Sequence, residues 1–228
     1  MLYQVARRVL GPPLKKYFSL TCEGADHLPK TGPAIVVCNH LNYLDPFIMG
    51  AVFDRPLHFM AKAELFEKRW LAWLLRKAYA FPVRRGRSDR QAIRHALNVL
   101  KEGHVVALFP EGTRSKTGEL LELQRGAALL ALHSGAPIIP MVILGGYEAL
   151  AGGRKFPRRV PIRVRVGEPL TFASETVDSA TITEVSRRIE ETLLALLNKS
   201  GEGGRTRAGA DNAWAGRKGY PAEGKASK

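Results

Sequence analysis

Short apolar runs alternate along the chain with segments whose apolar residues recur at helical spacing. "AIVVC", Ala34 to Cys38, is a β-branched run of strand length, uninterrupted by polar residues, and reads as a strand buried on both faces. "VVALF", Val105 to Phe109, and "PIIPMVIL", Pro137 to Leu144, repeat that pattern. "VPIRVRV", Val160 to Val166, alternates apolar with basic residues and predicts an edge or half-exposed strand. Between these runs the period changes. Asp45-Pro46 looks like a helix start, with the aspartate as N-cap and the proline at the first helical position. "SDRQ", Ser88 to Gln91, has a capping-box pattern opening a helix through Leu100, which Gly103 closes. Further helices are predicted over 126–134 and 181–199. Strands alternating with helices indicate an α/β fold.

Two segments carry helical spacing with a different flavour. Residues 1–20 place Leu2, Val5, Ala6, Val9 and Leu10 on one face, beside Arg7 and Arg8, and split at Gly11-Pro12-Pro13. Residues 65–80, "LFEKRWLAWLLRKAYA", combine Trp70, Trp73 and Tyr79 with Arg69, Arg76 and Lys77. Either segment suits a helix lying in a membrane interface, and either suits a helix packed on the core with its charges outward. From Gly201 to Lys228 the chain is rich in Gly, Ala, Lys and Arg with few apolar residues. Such a segment buries too little to offset the entropy of ordering, so a disordered basic tail is expected after a single domain spanning residues 1–200.

Composition narrows the class. The chain has 228 residues, 45% hydrophobic and 25% charged, which is globular composition at the length of one α/β domain. A domain of that size buries roughly 70% of its unfolded surface and needs no covalent staple. Cys22 and Cys38 lack CxxC spacing, so no disulfide framework is expected. No run of about 18 or more residues lacks charge, which argues against a membrane-spanning helix. Nor does the N-terminus read as a signal peptide, because Arg7 and Arg8 interrupt its apolar stretch. The catalytic domain is therefore expected in the cytoplasm. The formal charge of +14 favours polyanionic partners: nucleic acid, anionic lipid headgroups or phosphorylated substrates.

Two polar loops follow apolar strands, where open α/β sheets bind their ligands. In "NHLNYLD", Asn39 to Asp45, a neutral His40 imidazole can take a proton from a hydroxyl, and does so best when a carboxylate accepts its other N–H. Asp45 reaches His40 if the intervening residues curl back. The loop has no serine or cysteine nucleophile, so the pair points to activation of a substrate hydroxyl rather than to an acyl-enzyme. The plain alternative is a polar turn in which Asp45 only caps a helix. In "FPEGTRS", Phe109 to Ser115, Gly112 lets backbone approach a ligand, Thr113 offers a hydroxyl, and Arg114 a planar fork for phosphate. Glu111 can hold Arg114 or another cation in place. In isolation this loop also reads as a surface turn with scattered charges. Arg84 and Arg85 in "FPVRRG", and Lys62 in "MAKAEL", are further candidate cations.

Taken in order, H-x4-D, an arginine after "FPV", F-P-E-G-T-R and "PIIP" resemble the 1-acylglycerol-3-phosphate acyltransferase family of phospholipid and glycerolipid acyltransferases. The resemblance covers about residues 28–170. It implies a mixed, largely parallel sheet flanked by helices, with an N-terminal amphipathic element touching the membrane. It also implies His40 as general base and Asp45 as its orienting carboxylate. Arg85, Glu111, Gly112, Thr113 and Arg114 would bind the acceptor's phosphate, with Lys62 as a further contact and Pro140 near the acyl or acceptor site. The implied reaction moves an acyl group from acyl-CoA or acyl carrier protein to lysophosphatidic acid, with no cofactor or metal, at the cytoplasmic face of the cell membrane. Two positions depart from the family pattern: Tyr79 stands where glycine is frequent, and Arg84 where an acidic or small residue is. Glycerol-3-phosphate or another lysophospholipid as acceptor fits the same motifs. A basic nucleic-acid-binding protein is the rival from another class, although no zinc-finger, RNA-recognition or helix-turn-helix pattern supports it.

Overall fold

The apolar runs become strands, and the periodic segments between them become the helices that return the chain to the sheet. A computed structural model describes residues 2–84, 89–150, 156–172 and 177–199. Arg85 and the tail from Gly201 onward lie outside the described residues, as does Ser88 of the expected capping box. Seven strands are present: β1 (Thr21–Glu23), β2 (Ala34–Cys38), β3 (Leu57–Lys62), β4 (Ala80–Val83), β5 (Val105–Leu108), β6 (Ile138–Leu144) and β7 (Arg163–Val166). They form one sheet in the order β1-β7-β6-β2-β5-β3-β4. Every neighbouring pair is parallel except β6 and β7. The helices are α1 (Leu2–Tyr17), α2 (Asp45–Val52), α3 (Arg69–Lys77), α4 (Arg90–Lys101), α5 (Gly126–Ser134), α6 (Gly146–Leu150) and α7 (Ser179–Asn198). A parallel pair needs a crossover, and α2, α3, α4 and α5 provide those between β2 and β6.

The core has two faces, and β2 shows why. Side chains alternate along a strand, so Ile35 and Val37 pack with residues of α4, α5 and α7, including Ala96, Leu130 and Leu193. Ala34, Val36 and Cys38 point the other way, among Ile48 and Met49 of α2 and Phe18 just after α1. Covered on both faces, β2 is fully buried, as its unbroken apolar run predicts. It is also the middle strand of the sheet. The chain runs outward from it to β3 and β4, returns to β5 at its side, and then crosses to β6 on its other side. That reversal makes the carboxyl end of β2 the place where open α/β sheets bind their ligands.

Three expectations change. β7 is an interior strand, paired on one side with β1 and on the other with β6, and Arg165 is buried with its guanidinium donating to Leu196 O (2.9 Å). Arg165 is accommodated because α7 supplies that acceptor, while Arg163 is exposed. Secondly, α1 is one helix through Gly11-Pro12-Pro13. The prolines withhold N–H groups from the carbonyls of Arg8 and Val9, but all four residues are exposed, so those carbonyls lie on the solvent side. Thirdly, the helix expected over 65–80 is reduced to α3, with a 3-10 turn at Ala63–Phe66 before it. Asp89 caps α4, its carboxylate accepting from the Gln91 and Ala92 N–H groups (both 3.1 Å). Cys22 and Cys38 are both free thiols. Among the described residues no helix is long and apolar enough to cross a membrane.

Candidate active site

Parallel strands bring their carboxyl ends to one edge, and register decides which loops meet there. Val37 of β2 pairs with Leu108 of β5, so the chain leaves both strands side by side. His40 consequently lies flat on Phe109, with ring centroids 3.9 Å apart and planes at 13°. The ring is buried, 7% exposed for the whole residue. Its Nδ1–H donates to Asp45 Oδ2 at 2.8 Å, which fixes that nitrogen as the protonated one and leaves Nε2 with its lone pair outward from the pair.

Asp45 is not the helix cap that its place before Pro46 suggested. α2 begins at Asp45, and its N-cap position, Leu44, makes no side-chain capping bond. The Oδ2 atom instead collects three donors from upstream: His40 Nδ1, the Leu41 N–H (2.6 Å) and the Asn42 N–H (2.8 Å). The intervening residues therefore curl back around the carboxylate, and the curl brings the pair together. Oδ1 is buried without a hydrogen-bond partner among the described residues. The residue is 0% exposed, so its charge acts through little water.

Glu111 also faces inward. Its Oε1 accepts the His40 N–H (2.7 Å) and its Oε2 the Leu121 N–H (2.9 Å). Both oxygens are thus committed to backbone, and the expectation that Glu111 contacts phosphate or holds Arg114 gives way to a brace between the two loops. Burial pushes its carboxyl up to about 7, and the Asp45 charge adds to this, while the two amides act in the opposite sense. A second tie runs back, from the Ser115 N–H to His40 O (2.8 Å). Gly112 turns the loop at φ 68, in the left-handed region, and a Cβ there would lie 3.3 Å from Gln124 Cγ.

Two asparagines extend the bracing to β6 and to the start of α6. Asn39 bonds both backbone groups of Ile143, its Nδ2 donating to the carbonyl (3.2 Å) and its Oδ1 accepting the N–H (2.8 Å). Asn42 donates to Gly146 O (2.6 Å) and accepts from the Leu44 N–H (2.7 Å). Neither was singled out from sequence, because an asparagine in a loop carries no sign of which backbone it will reach. Pro140 lies within buried β6, opposite Val37. Cys38, one position before Asn39, is enclosed and its thiol is pushed well up by burial, reinforced by the Asp45 and Glu111 charges. That makes it an inert core residue rather than a nucleophile.

The candidate phosphate ligands are arranged differently. The Arg114 guanidinium lies over the ring of Tyr43, 3.7 Å from its centroid. Tyr43 is 69% exposed and comes from the His40 loop, so it joins the two loops on their outer side. Sequence reading missed it, since a variable position inside H-x4-D gave no cue. Thr113 is exposed on the same loop. Lys62 ends β3 and pairs with Glu64 (3.1 Å). It shares register with Val83, after which Arg84 is exposed. Tyr79 has φ 60, a left-handed backbone costing roughly 1–2 kcal/mol in a non-glycine residue, which a glycine would adopt without that cost. Among the described residues no cluster of three His, Cys, Asp or Glu side chains is placed to share a metal ion.

A family model described as Acyltransferase matches residues 19–144, more than half the chain, and includes both loops. The chain belongs to the acyltransferase family. Among curated relatives of this acyltransferase, the 1-acyl-sn-glycerol-3-phosphate acyltransferase of Bacillus subtilis is 33% identical over 146 residues, covering 64% of this chain and 70% of that one. The protein of that name from Pseudomonas aeruginosa is 29% identical over 173 residues, 73% of this chain and 64% of the relative. A chloroplastic enzyme of the same activity, from Arabidopsis thaliana, is 27% identical over 158 residues and is covered over only 44% of its length. The crystal structure of the 1-acyl-sn-glycerophosphate acyltransferase PlsC from Thermotoga maritima superposes with a TM-score of 0.64 at 27% identity, covering 83% of this chain and 79% of that one.

Proposed function

We propose that this acyltransferase moves a fatty acyl group from an acyl thioester, on coenzyme A or acyl carrier protein, to the free hydroxyl of lysophosphatidic acid, giving phosphatidic acid. The observation that carries the reading is the His40–Asp45 bond at the carboxyl end of the central strand, with Arg114 on the adjoining loop. The names of the relatives support the choice of acceptor.

In this mechanism His40 Nε2 takes the acceptor's hydroxyl proton as the oxygen attacks the thioester carbonyl. The imidazolium so formed lies against the Asp45 carboxylate. The tetrahedral adduct then collapses, the C–S bond breaks, and the proton passes from Nε2 to the leaving thiolate. No acyl-enzyme forms, and the residues supply no cofactor chemistry. Arg114, with Thr113, Arg85 and Lys62, holds the acceptor's phosphate and so supplies orientation. The product remains in the bilayer, and the enzyme works from its cytoplasmic face, with the exposed Val5, Val9 and Leu10 of α1 beside Arg8 as one contact. The charge of +14 suits an anionic donor, acceptor and surface.

Steady-state assays of one acyl thioester against a panel of acceptors test the reading. Lysophosphatidic acid is expected to give the highest kcat/KM, above glycerol-3-phosphate and above lysolipids with neutral headgroups. A preferred acceptor without a phosphomonoester would overturn the assignment. The His40→Ala variant is expected to keep its fold and lose about 10²–10⁴-fold in kcat, and near-normal turnover would remove the general-base role.

A further inference from the structure

α3 has two apolar faces, and the protein covers only one of them. At 3.6 residues per turn Leu71, Ala72 and Leu75 share the inner side, and these are buried or half-buried. Trp70, Trp73 and Leu74, at i, i+3 and i+4, share the outer side and are 67%, 58% and 42% exposed. Arg69 and Arg76 flank this outer stripe on the Trp73 side, Lys77 ends it, and all three are exposed. From Lys68 to Ser88 the sequence carries seven Lys or Arg and no Asp or Glu. Large aromatics at the surface of a soluble helix are unusual, and cationic flanks without a balancing acid repel a second copy of the same surface.

Placement adds a reason. The chain leaves the carboxyl end of β3 at Lys62, passes the 3-10 turn at Ala63–Phe66 and enters α3 directly. The first turn of α3, with Arg69 and Trp70, therefore starts from the edge of the sheet that carries His40 and Arg114. At the other end, Tyr79 meets Tyr3 of α1, with ring centroids 5.5 Å apart. The outer stripe of α3 thus begins at the site's edge and ends beside the first turn of α1.

We propose that the Trp70/Trp73/Leu74 face of α3 is a membrane-docking surface, inserting its indoles at the headgroup level of an anionic bilayer while Arg69, Arg76 and Lys77 pair with lipid phosphates. Indole rings favour that depth because they are apolar bodies with one N–H donor, and the cations add electrostatic attraction. The assignment rests on the reading that the substrates are lipids. It adds a second foothold to α1, at the edge where an acceptor drawn from the leaflet would enter.

Full-length protein and a Trp70→Ala/Trp73→Ala double variant would be compared for sedimentation with vesicles of phosphatidylglycerol and phosphatidylcholine. The double variant is expected to lower the partition coefficient about tenfold or more. Its thermal melt, and its turnover of a short-chain lysophosphatidic acid below the micellar range, should match the parent. In a Trp214→Phe background, which leaves only Trp70 and Trp73, vesicles should shift the indole emission to the blue. Partition within about twofold of the parent, or emission that does not move, would overturn the proposal. So would an oligomer in vesicle-free buffer that the double variant dissociates, since a second copy would then be the occupant. Vesicle binding that needs the two indoles in a protein that acylates no lysolipid would uphold the docking surface and reject the substrate reading alone.

Discussion

The two halves of the sheet's carboxyl edge are built on opposite plans. At its centre, the loops after β2 and β5 bury His40, Asp45 and Glu111 and are tied to each other, to β6 and to α6 through Asp45, Glu111, Asn39 and Asn42, largely by bonds to backbone. At the flank, from β3 through α3 to Arg84, the cations, Trp70 and Trp73 are exposed, and an exposed ion pair joins Lys62 and Glu64. A proton transfer tolerates little error in distance, and the groups to which the proposed mechanism assigns it are held by groups that cannot turn. The contacts with lipid headgroups and phosphate proposed for the flank would gain from long, adjustable side chains, and an exposed pair such as Lys62–Glu64 costs little to exchange for another anion. Rigidity at the centre and freedom at the flank thus suit the two tasks proposed for one edge.

The largest test of this contrast is at Asp45. Because all three donors use Oδ2, an Asp45→Asn variant can place its carbonyl oxygen there, keep the three bonds and lose the charge, with its amide NH2 taking the buried, unpartnered Oδ1 position. Its kcat is expected to fall by about 10²-fold or more with the fold retained. Wild-type kcat in that variant would mean that hydrogen bonding alone orients His40 and the charge is idle.

Glu111 tests the brace itself. Its carboxyl is raised to about 7 in the folded protein against 4.5 ordinarily. Between those values the folded state holds a proton that the unfolded state has released, so the group's contribution is full below about pH 4.5 and is lost as pH rises through 7. Relative to Glu111→Gln, wild-type stability should therefore decline by about 1–3 kcal/mol between pH 5 and pH 8. Urea unfolding at both pH values would show it, and parallel profiles would remove the buried-carboxyl account.

Smaller effects are expected at the outer side. Arg114→Ala should raise the acceptor KM about tenfold, the value of a charge-assisted bond, and leave kcat nearly intact. An unchanged acceptor KM would take phosphate binding away from Arg114. Tyr43→Ala, which removes only the stack under the guanidinium, should raise the same KM about two- to fivefold. Tyr43→Trp should restore it, and a matching loss in donor KM would indicate general disturbance rather than positioning of Arg114.

Much of this was legible in the sequence. The unbroken apolar runs named β2, β5 and β6, and the period change named α4, α5 and α7, because burial on both faces and burial on one stripe leave different local patterns. The ordered blocks H-x4-D and F-P-E-G-T-R named His40 and the loop of Arg114. What misled was direction. Asp45 reads as a helix cap as well as a partner for His40, since Asp-Pro is a helix-start pattern, and Glu111 reads as a contact for phosphate or Arg114, since Thr113 and Arg114 share its loop. Val160 to Val166 reads as an edge strand for a related reason, as basic residues in a strand usually face water, whereas Arg165 is accepted by a carbonyl of α7.

The chain by itself determined which segments would be buried and that two polar loops would follow two buried strands, since both facts follow from local composition. Only the tertiary structure decided that those loops meet. The register of Val37 against Leu108, 71 positions apart, sets Phe109 beneath His40 and brings Glu111 to the His40 amide. It also turned Asp45 inward, because the Leu41 and Asn42 amides and His40 converge on one oxygen once the loop is closed between β5 and β6. Glu111 and Asn39 take their directions from backbone groups far along the chain, His40 N–H and Ile143, and no short stretch of sequence contains that information.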